Sequence, residues 1–515
     1  MRIKAFWPKV VIIKTAGVGT FIMVQLGPTV DKNSYHLSVV RPVWLPYNKI
    51  SIQIIAPLID KLGYPTVGPK AAKYSVVLSS LLKAAQEHLS SRNRSRPHYI
   101  GIQRKASAWS RYPLVGRNIA KTVTDDFISH FGGQLVEGSG TSGLHKDKQG
   151  KWQTDPLMSM YMLDLDKLPV DLPEASFVEV GRPLIKVNKA ETRQQKNRRK
   201  GLKLPKPFLN DNAAKAIDQD GHTASESRIQ RLNEFFRCYP LELPNGHAAA
   251  SLTRVFHDGR LDAGGRLYGA WTGLDQKEHR LHCKIDGKPV VEIDINASQP
   301  TLLSSLLGYK LGRLGLEDTW SDVYGELSGL LSTHYYWTVI DQTIDQIDLI
   351  RRNRGAAKAV VMALIGSGLP LKSKATSELI KDFGLTPEGW LMFRDKLLAT
   401  VPALNALEPR YNSKGHLDGY INGPGFLSYH ESEITLATLE ALMDRGIPAY
   451  PVHDCLIVKV SDATIAAEVF RQTIHDYCKR LSGIEVMVPL SITTADNNQH
   501  DTLPNESDLK GRYLS

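Results

Sequence analysis

The chain has 515 residues, of which 42% are hydrophobic and 23% charged, and a formal net charge of +11. That length excludes a single core and predicts roughly two to four domains, and the balance is that of an ordinary globular protein, not a disordered or fibrous one. The pI of about 9.2 favours a polyanionic partner.

No run of ~18 apolar residues occurs, so no membrane span is expected. Lys4, Lys9 and Lys14 interrupt the apolar start, which argues against a signal peptide. Cys238, Cys283, Cys455 and Cys478 are scattered without a CxxC pair. They read as reduced thiols in a cytoplasmic protein, not as a zinc site.

Taken in order, residues 1–52 are strand-like, with Val10–Ile13 and Phe21–Val24 separated by a glycine-containing turn. A small β-element and an extension both fit this pattern. Residues 71–90 predict an amphipathic helix, and Arg92, Arg94 and Arg96 follow in a loop. In 116–133, Ile119, Val123, Phe127 and Phe131 recur on one helical face, closed by two glycines. Arg117, Asn118 and Lys121 fall on its polar side. Two strands, 134–140 and 156–163, then flank a loop carrying His145, Lys146, Lys148 and Lys151. Helix, strand, basic loop and strand over about 70–170 resemble a winged helix-turn-helix, which would put Arg117, Asn118, Lys121, Lys146 and Lys148 against DNA. A small α/β domain with a solvated loop fits equally well. The whole region 1–185 is taken as N-terminal.

Residues 186–228 read as a basic linker. Its run Arg193, Lys196, Arg198, Arg199, Lys200, Lys203 and Lys206 has no apolar period. Arg198, Arg199 and Lys200 could lie along phosphates. A folded region resumes with a short helix near Ile229–Phe236 and continues over 229–495, and 496–515 form a polar tail.

Four motifs stand out in this second region. Arg254–Tyr268 holds a Gly264-Gly265-Arg266 sequence, in which the glycines permit close backbone approach and the arginine suits a phosphate or a base edge. Val290–Gly308 begins as a strand, with Val291, Ile293 and Ile295 on one face and Glu292 and Asp294 on the other. It continues as a helix with Ser298 as N-cap. Asp294, at a strand end, is either a helix-capping acid or a ligand for a hard cation. In 351–368, a predicted helix, Arg354, Lys358, Met362 and Gly366 recur on one face, and two cations one turn apart make a triphosphate cradle. Finally, Ala449–Val460 reads as a hairpin with His453-Asp454 at its tip.

The order Arg266, Asp294, Arg354-x₃-Lys358, His453-Asp454 resembles the polymerase core shared by family A DNA polymerases and single-subunit, phage-type RNA polymerases, over about 250–495. The resemblance implies an α+β fold, a right-handed palm and fingers, preceded here by the small winged-helix-like α/β domain. It implies two Mg²⁺ ions (Mn²⁺ as an alternative) held by Asp294, Asp454 and the main-chain carbonyl of Ile295. In such chemistry one ion activates a 3′-hydroxyl and the other steadies pyrophosphate. Arg354 and Lys358 would hold the incoming nucleoside triphosphate, with Met362 and Gln299 lining the same site. Arg254 and Arg266 would contact a DNA template–primer duplex, and His453 would sit near the primer end.

The chain also departs from the family. Gly366 stands where the helix normally has a tyrosine, Cys455 replaces the Glu or Ser after the second acid, and Phe426 replaces a usual Gln. DNA polymerases of the family exclude ribose with a glutamate shortly after the first acid. Counting without a gap puts Gln299 there, and aligning on Ser-Gln puts Thr301 there. Neither is a glutamate and Gly366 replaces the aromatic ring, so the gate against ribose reads as open, and the leading expectation is a compact DNA-directed RNA polymerase or primase. A DNA polymerase of phage or mobile-element type and a DNA-binding protein with an inactive polymerase domain are the alternatives.

Overall fold

The computed structural model describes residues 10–13, 22–25, 36–41, 43–90, 98–102, 109, 112, 115, 117–136, 143–146, 152–155, 159–201, 206–309, 323–331, 346–367, 386–407, 410–411, 417–419, 423–486, 488–496 and 499–501. The fold is α+β. Two units separate, 1–183 with 246–248 and 184–245 with 249–515. Among the described residues no helix is long and apolar enough to cross a membrane. All four cysteines are free.

In the first unit, β1 (Val10–Ile13) and β2 (Ile22–Gln25) form an antiparallel pair. Next come β3 (His36–Val39), β4 (Trp44–Pro46), α1 (Lys49–Lys61), α2 (Gly68–Ser90), β5 (His98–Ile102) and α3 (Arg117–His130). They are followed by β6 (Gln134–Leu135), β7 (Gly143–Lys146), β8 (Trp152–Asp155), β9 (Ser159–Met162) and β10 (Phe177–Glu179).

Val76, Val77, Leu78, Leu81 and Leu82 surround much of α2, and all are buried. A helix apolar on several sides must be covered on several sides, and α2 packs on α1, α3, β3 and β5. The face of α3 carrying Val123 and Phe127 is buried as its periodicity predicts, and Gly132, with φ 60°, closes it.

One feature here differs from the sequence reading. The segment read as a loop between two strands carries its own antiparallel hairpin, β7–β8. The sheet in the order β3-β5-β9-β6 is mixed, because β3 runs parallel to β5. A parallel pair needs a crossover, and the crossover contains α2.

The second unit begins with β11 (Ile185–Val187), α4 (Arg193–Gly201), α5 (Asp211–Lys215) and α6 (Gln219–Cys238). Residues 186–228 are thus largely folded instead of forming a tether. β11 pairs parallel with the strand at Arg254–Phe256, and Asn188 bridges to Phe208, so the basic run is fastened at both ends. The run is itself helical because Thr192 and Gln195 form a capping box. The Gln195 N–H donates to the Thr192 hydroxyl (3.2 Å) and the Thr192 N–H donates to the Gln195 side chain (2.9 Å). Helix α6 starts well before Ile229, capped by the Asp218 carboxylate on the Gly221 N–H (3.0 Å).

After β12 (Leu241–Glu242) come β13 (Thr253–Phe256), β14 (Gly264–Tyr268), β15 (Lys284–Ile285), β16 (Lys288–Ile295), α7 (Ser298–Leu306), α8 (Val323–Ser328) and α9 (Gln346–Ser367). They are followed by α10 (Pro387–Thr400), α11 (Gly423–Met443), β17 (Ala449–Val452), β18 (Cys455–Lys459), α12 (Ala463–Ser482), β19 (Leu490–Thr493) and β20 (Gln499–Asp501).

Strand β16 is the axis of this unit. It pairs antiparallel with β18 along one edge and with β15 and β19 along the other, and β17 lies outside β18. Val290, Val291, Ile293 and Ile295 are buried, as befits a strand covered on both faces. Within the residues read as a polar tail, β20 pairs with β19.

Candidate active site

The register of β16 against β18 sets Asp294 opposite Cys455, beside Asp454 in the β17–β18 turn. The Ile295 N–H donates to the Asp454 carbonyl (3.3 Å), which ties the end of β16 to that turn. His453, the first turn residue, takes the left-handed φ of 59°, so a two-residue link closes the hairpin tightly.

Asp294 is half-buried. Its carboxyl is pushed up to about 7, first by burial, then by the charges of Asp454 and Glu292, while Lys358 opposes the shift. The Ser298 hydroxyl donates to Asp454. Ser298 is therefore not the N-cap of α7. Ala297 takes that place in a left-handed conformation, φ 48°, and donates no side-chain cap. The serine is instead freed to hold the second acid.

Behind the acids lies a charged support. The Arg280 guanidinium donates to both oxygens of buried Glu292 (2.6 and 3.2 Å), and the Gln276 amide adds a third bond (2.7 Å). The Cys455 thiol points to the same carboxylate at 3.5 Å, and its pKa is raised well above a normal thiol's by burial and by Glu292. The residue that departs from the family pattern thus faces Glu292.

Two carboxylates at adjacent strand ends, one pushed toward neutrality by burial and then by the other, fit a divalent cation that would relieve their repulsion. Among the described residues no group of three or more His, Cys, Asp or Glu side chains is placed to hold a metal. A pair of acids suits Mg²⁺, which keeps waters and takes further oxygens from substrate phosphates.

Helix α9 carries Arg354 and Lys358 on an exposed face and Met362 half-buried below them, while Ala357, Val360, Val361 and Leu364 anchor the opposite side. Lys358 reaches Asp294 electrostatically, since its charge lowers the Asp294 pKa. Tyr324 of α8 lies over this face, its ring centroid 5.8 Å from the Arg354 guanidinium carbon and 5.8 Å from Lys358 Nζ. Its hydroxyl sits 3.7 Å from Met362 Sδ. Gly366 is exposed, and among the described residues nothing lies within 4 Å of where a side chain would begin. Of the two positions considered for sugar discrimination, Thr301 is fully buried and Gln299 half-buried.

The arginines of the β13–β14 hairpin do different work from that expected. Arg254 is 1% exposed. It donates to the Gly265 carbonyl (3.1 Å), the Ser225 hydroxyl (3.2 Å), the Ser432 hydroxyl (3.3 Å) and the Glu433 carboxylate. It is a buried strut joining α6, the hairpin and α11, and it cannot meet a nucleic acid. The sequence hid this because a buried arginine and a phosphate-binding one look alike until their acids are located. Gly265 makes the strut possible, since a Cβ there would lie 2.9 Å from Ser432 Oγ and 3.1 Å from Arg254 Nη2.

Arg266 is held by α11 through both oxygens of buried Glu431 (2.8 and 3.1 Å). Burial pushes Glu431 up to about 7 against the pull of Arg266, with the Asp454 charge adding to the rise. His453 stacks edge-on to Tyr268 at 5.5 Å. Its pKa is lowered by burial and by Arg266, with Asp454 opposing. Its Nδ1 has no hydrogen-bond partner among the described residues.

The expected nucleic-acid residues of the first unit are partly described. Asn118 and Lys121 are exposed on α3. Lys148 and the side chains of Arg117 and Lys146 lie outside the described residues. On α4, Arg198 and Lys200 are exposed, and Arg199 pairs with Glu191 at 2.7 Å.

Four residues of the site were not singled out in the sequence: Tyr324, Arg280, Glu431 and Glu433. The acids left one trace. Ser428–Glu433 is a polar stretch in an otherwise apolar helix, and a polar stretch that is buried must have partners. Tyr324 left no signal, because nothing in the sequence says which helix covers α9.

No family model and no curated protein matches the chain. Among solved structures, the chain has a likeness to the polymerase domain of Pol1 from M. smegmatis in complex with DNA primer-template and dNTP. The TM-score is 0.32 at 11% identity, over 59% of this chain and 57% of that one.

Proposed function

We propose that the chain is a nucleic-acid-templated nucleotidyltransferase, and that its product is RNA, as in a compact DNA-directed RNA polymerase or primase. The observation that carries the proposal is the meeting of two motifs distant in sequence. Asp294, set beside the Asp454 turn by the strand register, feels the charge of Lys358, on the helix face that also carries Arg354.

Asp294, Asp454 and the Ile295 carbonyl would hold two Mg²⁺ ions. Bound there, the ions supply charge stabilisation for a nucleophile and a leaving pyrophosphate. Arg354 and Lys358 bind the triphosphate and orient it toward the acids. Ser298 fixes the Asp454 rotamer, and Arg280 with Gln276 keeps Glu292 compensated beneath Asp294. Lys121 of α3 and, separately, Arg198 and Lys200 of α4 would each contact a DNA template, α4 from within the same unit as the acids.

The test is extension of a labelled primer annealed to a template, with NTPs and dNTPs supplied separately in Mg²⁺. Template-dependent extension with NTPs supports an RNA product. Extension with dNTPs alone moves the chain to the DNA polymerase alternative. No extension with either, by folded protein, rejects the catalytic proposal.

A further inference from the structure

We propose that Glu292 is a positioning residue for the cation site, a third carboxylate that binds no metal itself and whose charge, held in place by Arg280 and Gln276, draws a divalent cation to Asp294 and Asp454. The inference rests on the nucleotidyltransferase reading and extends it to the residues beneath the paired acids.

Glu292 and Asp294 are two residues apart on β16, so they share a face and lie about 7 Å apart along the strand. Cys455, which the register sets opposite Asp294, brings its Sγ to 3.5 Å from Glu292 Oε2. That thiol feels the charges of Glu292, Asp294 and Asp454 alike, so the three carboxylates surround one buried side chain. Glu292 is 1% exposed, and water screens it little. Its charge adds to that of Asp454 in raising the Asp294 carboxyl.

Three hydrogen bonds fix this carboxylate, two from the Arg280 guanidinium (2.6 and 3.2 Å) and one from the Gln276 amide (2.7 Å). Arg280 compensates Glu292 without cancelling its field at Asp294, where the opposing pull comes from Lys358. An ion pair serving the fold alone gains nothing from this place. Like charges within reach of one another destabilise the sheet, and apolar residues of similar volume often replace a buried pair without loss. A cation at the acids reverses the balance, since the third negative charge then strengthens its binding.

The experiment follows free Mn²⁺ by electron paramagnetic resonance, without nucleotide or DNA. It compares wild type with Asp294→Ala, Glu292→Gln, Glu292→Asp and a double variant, Arg280→Met with Glu292→Leu, each checked for folding by its melting curve. Wild type is expected to hold Mn²⁺ at a site that Asp294→Ala loses. Glu292→Gln keeps the shape and removes the charge, and should weaken that site about tenfold. Glu292→Asp is shorter but charged, and should weaken it less than Glu292→Gln does. The double variant should fold and bind more weakly than wild type, though less so than Glu292→Gln, because it removes Arg280 as well. A pair serving only the fold predicts the reverse order, with Glu292→Gln close to wild type and Glu292→Asp the weaker. That order, or unchanged affinity in the folded double variant, overturns the inference and leaves the nucleotidyltransferase reading standing. Unfolding of all three Glu292 variants assigns the pair to the fold and overturns it too. Absence from wild type of any Mn²⁺ site sensitive to Asp294→Ala overturns the paired-acid reading, and the inference with it.

Discussion

Arg266 and Glu431 form a two-pronged ion pair, 2.8 and 3.1 Å, whose carboxylate is buried and lies within electrostatic reach of Asp454. Through it helix α11 fixes the glycine-rich hairpin beside the acids. Removing one partner of a buried pair strands the other charge. Arg266→Ala is expected to destabilise the fold by about 3–5 kcal/mol in urea denaturation. Arg266→Leu combined with Glu431→Leu should recover most of that loss. A single variant as stable as wild type would contradict the role given to the pair.

Arg254 is predicted to matter for folding and not for nucleic-acid binding. Arg254→Ala should cost about 3–5 kcal/mol, because Glu433 loses a buried cation. Arg254→Lys should rescue only part of it, since a lysine cannot reproduce donation in several directions from one plane. A variant of undiminished stability with weakened DNA binding would reverse this assignment.

The acids predict a pH signature for protein kept in a chelator. Asp294 titrates near 7 in the folded state, raised by burial and by Asp454, against about 3.9 unfolded. A raised carboxyl favours the folded state in its protonated form, so its contribution is fully present below pH ~4 and is lost as pH rises through about 7. Metal-free protein should therefore melt lower at pH 8 than at pH 5, and Asp294→Asn should lessen that slope, leaving the share of Glu431, whose carboxyl burial likewise pushes up to about 7. Mg²⁺ should raise the melting point at pH 8, by about 2.7 kcal/mol of stability at one hundred times its Kd. An Asp294→Asn profile as steep as wild type would exclude Asp294 as the source.

Much of the acid site was legible in the sequence, and the reason is local. Asp294 sits where a period-two apolar run gives way to a helix, and Asp454 sits between two apolar strands, so short windows place both. Arg354, Lys358 and Met362 follow from helical spacing alone. What was hidden depends on contacts between distant segments. Arg254 looked like a surface cation because Ser225, Ser432 and Glu433 come from other helices. Tyr324 was missed for the same reason. The basic run at 193–201 is different, since its Thr192-x-x-Gln195 capping box is local in the sequence, while its composition alone reads as a linker.

That run now supports a specific expectation. Lys196, Arg198 and Lys200 are exposed on α4, and among the described residues none is ion-paired. If all three meet phosphates of a duplex, changing them to Ala should reduce the slope of log K against log salt by up to about 2.7, at about 0.9 for each phosphate released. An unchanged slope, measured by titrating a duplex at several salt concentrations, would remove α4 from the nucleic-acid surface.

Under the proposed function, Asp294 and Asp454 together run templated nucleotide addition. The direct measurement is single-turnover incorporation on a primed template in Mg²⁺ by wild type, Asp294→Ala and Asp454→Ala, with DNA affinity measured on the same samples. Both variants are expected to lose incorporation by several orders of magnitude, because each removes a ligand whose charge stabilisation is worth several kcal/mol, while binding DNA about as tightly as wild type. Near-normal incorporation by either variant would contradict the account.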